Sequence, residues 1–254
     1  LEAYGSRVLG KAAVRAKDTP AFVANRIGVY CMLDAFHTAV EMGLSVEEVD
    51  RLTGPVIGHP KSATFRTADV IGLDTLAKVA SDLKAYCPND ERNSLFALPE
   101  FLEKMLEQGM LGSKTGKGFY FKDRSKPKGE ILSLNLRTLE HAPQVKPRYA
   151  TLDAAKKVDD LRERLALVYA GTDKAGEFYR QNFHGLFAYV SHRIPEIADD
   201  LYKVDDALRA GFAWELGPFE AWDAIGVKKV KEEMEVKGVK VAGWVDEMTL
   251  AGHT

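Results

Sequence analysis

The sequence predicts a mainly α-helical protein built from two tandem helical bundles, with one small β-hairpin at the periphery. Three observations carry that expectation. Apolar residues recur at helical spacing through most of the chain, whereas only Lys117 to Phe121 and Glu130 to Ser133 have the look of paired strands. The stretch from Asn135 to Pro147, with Pro143 and Pro147 and little periodicity, breaks the pattern and reads as a linker. Beyond it the pattern returns as a second copy: Val49-Asp50 pairs with Val204-Asp205 and Glu41 with Glu196 at an offset of 155 residues, and Phe65, Asp69 and Gly72 pair with Phe219, Asp223 and Gly226 at 154. The expected organisation is a first domain over 1–134, a linker over 135–150 and a second, degenerate copy over 151–254.

Each element has a local reason. Pro20 fits the first position of a long helix, with Asp18 or Thr19 placed to cap it, and Phe22, Val23 and Ile27 begin an apolar stripe that continues through Tyr30, Cys31 and Asp34 to Val40. Ser45-Val46-Glu47-Glu48 has the form of a capping box and starts a short helix through Leu52, ended by Gly54-Pro55. Thr75 to Tyr86 and Pro99 to Gln108 are amphipathic helices, the second closed by Gly109. The two strands are joined by a polar loop containing Pro127.

Composition excludes several classes of function. With 254 residues, 46% of them hydrophobic, the chain can bury one or two cores, and a net charge of −2 offers no electrostatic reason for binding nucleic acid or an anionic membrane. Cys31 and Cys87 form no CxxC, so neither a disulfide framework nor a zinc site is expected. No run of about 18 apolar residues could cross a bilayer, and the expected location is the cytoplasm.

Asn25 and Arg26 interrupt the first turns of the long helix, where a packed helix would carry Leu or Ala. On local pattern Asn25 is either an amide bonded to a neighbouring loop or a functional group. The segment Lys17-Asp18-Thr19-Pro20, Phe22, Asn25-Arg26 resembles the opening of the C-terminal domain of the NAD-dependent (S)-3-hydroxyacyl-CoA dehydrogenases of fatty-acid β-oxidation. Three further stretches agree in order: Val49-Asp50 after the helix start at Ser45, Gly72-Leu73-Asp74-Thr75, and Gly112-Ser113-Lys114-Thr115-Gly116-Lys117-Gly118-Phe119-Tyr120. The resemblance implies a bundle like the C-terminal domain of 6-phosphogluconate dehydrogenase. It makes Asn25 the one catalytic residue carried over, near a catalytic His and the substrate oxygen. In the second copy Gly217-Pro218-Phe219-Glu220 is closer to the family motif than Gly58 to Phe65 in the first, but Asn25 falls on Arg180 and Arg26 on Gln181. That copy reads as structural. Single-copy members of the family dimerise through this domain, so a fused copy is expected to supply the same apolar face within the chain, with the two copies related by a pseudo-twofold.

The implied activity is oxidation of a 3-hydroxyacyl-CoA to the 3-ketoacyl-CoA, a His oriented by a Glu taking the hydroxyl proton while hydride passes to NAD. No GxGxxG occurs, so the NAD-binding domain, with that His and Glu, is expected outside this chain, and the chain alone is expected to hold no cofactor and to be inactive. Leu1 to Arg15, with no Met, reads as an excised piece already under way. The expected partners are the acyl-CoA substrate, the NAD-binding domain and a fused enoyl-CoA hydratase domain of the larger β-oxidation proteins. Two other readings remain: a non-catalytic helical interaction module, and the helical domain of another Rossmann dehydrogenase. Lys114 to Gly118 reads as a hairpin bend rather than a phosphate nest, His37 as a satisfied helical residue, and Phe212, Trp214, Phe219 and Trp222 as core packing.

Overall fold

In the computed structural model, which describes residues 1–125 and 129–253, the chain is mainly helical with one small antiparallel sheet. The elements run α1 (Glu2–Arg7), α2 (Ala24–Met42), α3 (Val46–Leu52), α4 (Phe65–Ile71), α5 (Leu73–Tyr86), α6 (Glu100–Glu107), β1 (Tyr120–Asp123), β2 (Glu130–Leu134) and β3 (His141–Pro143). They continue through α7 (Ala150–Ala155), α8 (Leu161–Tyr169), α9 (Lys174–His192), α10 (Leu201–Phe212), α11 (Pro218–Ile225), α12 (Val227–Val236) and α13 (Gly243–Leu250). Two compact units result: one joins Leu1–Gly28 to the chain from Phe183 onward, and the other is Val29–Asn182. Their boundaries fall inside α2 and α9, a different division from the sequence copies at 1–134 and 151–254.

Within Val29–Asn182 the core is aromatic. Phe36 stacks on Phe65 at 4.7 Å, and Phe119 meets Phe65 at 4.6 Å and Phe36 at 5.4 Å between ring centres. The capping box at α3 forms as expected, with Glu48 N–H donating to Ser45 Oγ at 3.3 Å and Ser45 N–H to Glu48 Oε2 at 2.8 Å. The sheet has the order β1-β2-β3, with Tyr120 opposite Ser133 and Leu134 opposite His141. Its third strand lies in the stretch expected to be a linker, and Pro143 is tolerated there because β3 is an edge strand. The Pro127 loop lies outside the described residues.

The other unit packs Phe187 against Trp222 at 5.0 Å and Phe183 at 5.4 Å. Gly28, in mid-helix on α2, lies directly under the Phe212 ring, where a Cβ would approach Cζ to 2.0 Å. That contact explains a glycine that otherwise weakens a helix by about 1 kcal/mol.

Similar local devices occur at the paired sequence positions. Asp50 Oδ1 accepts from Phe65 N–H at 2.6 Å and so caps α4, while Asp205 Oδ1 accepts from Phe219 N–H at 2.9 Å at the start of α11. Gly72 (φ 97°) separates α4 from α5 as Gly226 (φ 109°) separates α11 from α12. A long-range pair is also used in both directions. Arg26 reaches Glu196 at 3.2 Å, and Gln181 reaches Glu41 at 2.9 Å, where 26 matches 181 and 41 matches 196.

Four expectations about α2 and its surroundings are corrected. The helix starts at Ala24 rather than Pro20, because Ala21 and Phe22 both take left-handed backbone (φ 62° and 54°) and turn the chain first. Thr19 Oγ1 is buried without a hydrogen-bond partner and so does not cap the helix. Phe22 and Val40, assigned to the apolar stripe, are exposed. The first strand begins at Tyr120, since Lys117 pairs only through isolated bridges to Gly112 and Phe121.

Asp34 does lie on the buried face of α2, where it accepts from Arg92 Nη2 at 3.4 Å. Burial pushes its carboxyl up to about 7, only partly offset by the Arg92 charge. A folded value above the unfolded one means that the folded state holds the proton more tightly, so stability is lost as pH rises from about 4 to about 7. Asp34→Asn should remove that slope: its melting temperature relative to the unaltered chain should rise across this window. Thermal denaturation at several pH values checks the sign.

Candidate functional site

Asn25 is the second residue of α2, where backbone N–H groups have no partner within the helix. Its side chain is exposed and makes no hydrogen bond among the described residues. Arg26 follows about 100° further round the helix and is fully buried. Its Nε donates to the Tyr189 hydroxyl at 2.7 Å and its Nη2 to Glu196 at 3.2 Å. Arg193 lies 4.6 Å over the Tyr189 ring and pairs with Glu196 at 3.1 Å, completing a knot of two guanidinium groups, one carboxylate and one phenol. Ahead of the helix, Lys17 N–H donates to Ile197 C=O at 3.0 Å and its ammonium pairs with Asp199 at 2.7 Å. These contacts hold the start of α2 and present Asn25 outward.

At the matching position of the second copy, Arg180 has a different task. Its Nη1 donates to the carbonyls of Tyr169 and Gly171 and closes the C-terminal end of α8.

The other motif residues gather in Val29–Asn182 around two carboxylates, Asp69 buried and Asp50 half-buried. Phe119 N–H and Tyr120 N–H each donate to Asp69 at 2.9 Å, and the Tyr120 hydroxyl donates to Asp50 Oδ2 at 2.7 Å. Burial lifts Asp50 and Asp69 to about 6, against the pull of those donors. Gly118 passes so close that a Cβ would lie 2.0 Å from Asp69 Oδ1, and one on Gly112 would lie 2.4 Å from the Asp69 carbonyl oxygen. Lys114 forms an ion pair with Asp74, so the Gly72-Leu73-Asp74-Thr75 and Gly112–Tyr120 motifs meet. The glycine-rich turn thus seats a strand on α4. His37 Nε2 bonds the carbonyls of Leu95 and Ala97 at 3.1 Å, and His141 Nε2 that of Gly118 at 2.8 Å. Sequence reasoning missed the Tyr189–Arg193–Glu196 knot, whose only signal was the Glu41/Glu196 match.

Among the described residues no cluster of His, Cys, Asp or Glu could hold a metal ion, and no helix is long and apolar enough to cross a membrane. The one sheet among them is antiparallel, so the residues present do not fit a dinucleotide, whose phosphates need a glycine-rich turn between a parallel strand and its helix.

Over 95% of its length the chain is similar to 3-hydroxybutyryl-CoA dehydrogenase from Escherichia coli K12 substr. MG1655, covering 62% of that chain with a TM-score of 0.59; at 16% identity the likeness concerns fold alone. Residues 22–122 match the family model described as 3-hydroxyacyl-CoA dehydrogenase, C-terminal domain, and are a C-terminal domain of that family. The chain is 42% identical over 253 residues to the probable 3-hydroxyacyl-CoA dehydrogenase of Bacillus subtilis (strain 168), covering 100% of this chain and 31% of that protein. It is 47% identical over 121 residues to the probable 3-hydroxyacyl-CoA dehydrogenase of Deinococcus radiodurans, covering 48% and 34%. The chain spans about a third of the length of these relatives.

Because Gly118 has no room for a side chain beside Asp69, Gly118→Ala should lower stability by roughly 1–3 kcal/mol. Gly116→Ala, with open space around it, should cost less despite its φ of 72°. Denaturant titration of the two variants measures the difference.

Proposed function

We propose that this chain supplies the substrate-side helical portion of an NAD-dependent (S)-3-hydroxyacyl-CoA dehydrogenase, which oxidises 3-hydroxyacyl-CoA to 3-ketoacyl-CoA. The observation that carries the reading is the split between neighbours on α2: Arg26 is locked inside while Asn25 is exposed with no partner of its own. The family of residues 22–122 and the names of the similar proteins support the substrate class.

In this reading the chain contributes an uncharged amide. Its NH2 donates to the substrate oxygen, or its C=O accepts the proton of a His base on another domain, without adding a charge that would move that His pKa. NAD, when bound by that other domain, supplies the hydride acceptor. The second copy serves as scaffold, with Arg180 as a helix cap.

In the enzyme containing this chain, Asn25→Ala should lower kcat by roughly ten- to a thousandfold, the loss expected for one transition-state hydrogen bond, with little change in stability. Arg180→Ala should do the reverse: turnover nearly unchanged and a lower melting temperature, because the α8 carbonyls lose their donor. Equal activity losses, or an Asn25→Ala variant that fails only by unfolding, would refute the assignment. The chain of residues 1–254 alone should neither oxidise 3-hydroxybutyryl-CoA nor bind NAD, and micromolar NAD binding by calorimetry would contradict that.

A further inference from the structure

Asn25 lies between two residues, Lys17 and Arg26, that one stretch of chain holds. That stretch, residues 189–199, is the end of α9 and the segment leading to α10. Lys17 N–H donates to Ile197 C=O at 3.0 Å, and its ammonium reaches the Pro195 carbonyl and pairs with Asp199 at 2.7 Å. Arg26 is fully buried, with Nε donating to the Tyr189 hydroxyl and Nη2 to Glu196 Oε1. Glu196 Oε2 takes Arg193 Nη1 at 3.1 Å, so one carboxylate spaces two guanidinium groups that would otherwise repel each other. Asn25 itself has no such hold: its side chain is exposed and makes no hydrogen bond among the described residues.

A guanidinium keeps its charge and carries its donors in one rigid plane, so the acceptors around a buried one fix both where it lies and which way it faces. Arg26 and Asn25 are consecutive on α2, where the rise is about 1.5 Å per residue, and any shift of Arg26 along or around the helix carries Asn25 with it. Ahead of Asn25 the chain runs through the left-handed pair Ala21 and Phe22, closed by Phe22 N–H on Thr19 C=O at 3.0 Å, before the helix begins. The amide is thus held from residues 189–199 on both sides along the chain. A misplacement of about 1 Å at a reacting group costs up to roughly a hundredfold in rate.

We propose that Tyr189 and Glu196 are positioning residues for turnover: through Arg26 they set the place of the Asn25 amide, so that the substrate-facing group is incomplete without the end of α9 and the segment after it. The inference rests on the reading that Asn25 bonds the substrate oxygen or the His base. A knot that only stabilised the fold would change the melting temperature and leave the kcat of the folded enzyme as it was.

The test is steady-state kinetics on the full NAD-dependent enzyme containing this chain, with 3-hydroxybutyryl-CoA as substrate. Tyr189→Phe removes the hydroxyl and keeps the ring under Arg193, whereas Glu196→Asp keeps the charge and draws it back by one methylene. Each should lower kcat roughly three- to thirtyfold with KM changed by less than about twofold, the pattern of an interaction made in the transition state. The deciding measurement is a double-mutant cycle. In an Asn25→Ala background Tyr189→Phe should cost less than about twofold, because a residue that acts through Asn25 has nothing left to place. Arg180→Ala, weakened at the α8 cap, controls for lost stability and should keep its kcat. Melting curves verify that each variant is folded at the assay temperature, and Glu196→Asp, whose site is partly exposed, carries the same cycle if Tyr189→Phe does not fold. Unchanged kcat in the folded variants overturns the proposal, as does the same fold-loss with and without the Asn25 amide. In both cases a loss of roughly tenfold or more in Asn25→Ala alone leaves the reading of Asn25 standing, whereas a fully active Asn25→Ala enzyme overturns both.

Discussion

A carboxylate on one helix bonded to the free amides of the next is the contact on which the rest of each copy hangs. Asp50 on α3 receives the N–H groups of Thr64, Phe65 and Arg66, and Asp205 on α10 receives that of Phe219. The first turn of a helix has donors that nothing inside the helix can satisfy, and a charge there also favours the helix dipole. The aspartate is held against these donors at a cost, visible in its raised affinity for a proton. It fixes the angle between successive helices, and that angle brings Phe65 against Phe36 and Phe219 toward Trp244.

The same economy explains why most motif residues are structural. Gly112 and Gly118 let the chain approach Asp69, Phe119 enters the aromatic core, and Tyr120 completes the Asp50 site. A cluster of this kind tolerates little change, because removing one partner leaves a buried charge without its donors. The residues that read most like a phosphate loop therefore serve to hold a strand down.

Asn25 stands apart from that logic. Two left-handed residues, Ala21 and Phe22, delay the start of α2, and each carries a conformational cost of roughly 1–3 kcal/mol that surrounding contacts must offset. Lys17 and Arg26 supply such contacts through Ile197, Asp199, Tyr189 and Glu196. The result is an exposed amide, set at the helix start by these contacts and bonded to no side chain among the described residues.

Legibility in the sequence followed the range of the interaction. The capping box at Ser45, the amphipathic helices α5 and α6 and the matched Asp-Phe-Asp-Gly positions of the two copies depend on neighbours within a few turns, and all could be read from spacing. The placement of an amide at the start of a helix was legible too. Spacing left open whether Asn25 or Arg26 faced the interior, since adjacent helical residues look equally exposed until a partner is known. That partner, Tyr189, lies 163 residues away. The strand β3 was hidden for a similar reason, because a three-residue edge strand has too little pattern of its own and exists only by pairing with β2. By itself the sequence determined the amphipathic helices, the pairing of like residues at fixed offsets and the chemistry present at each position. Tertiary structure decided which polar group is offered outward, because that depends on side chains brought together from distant parts of the chain.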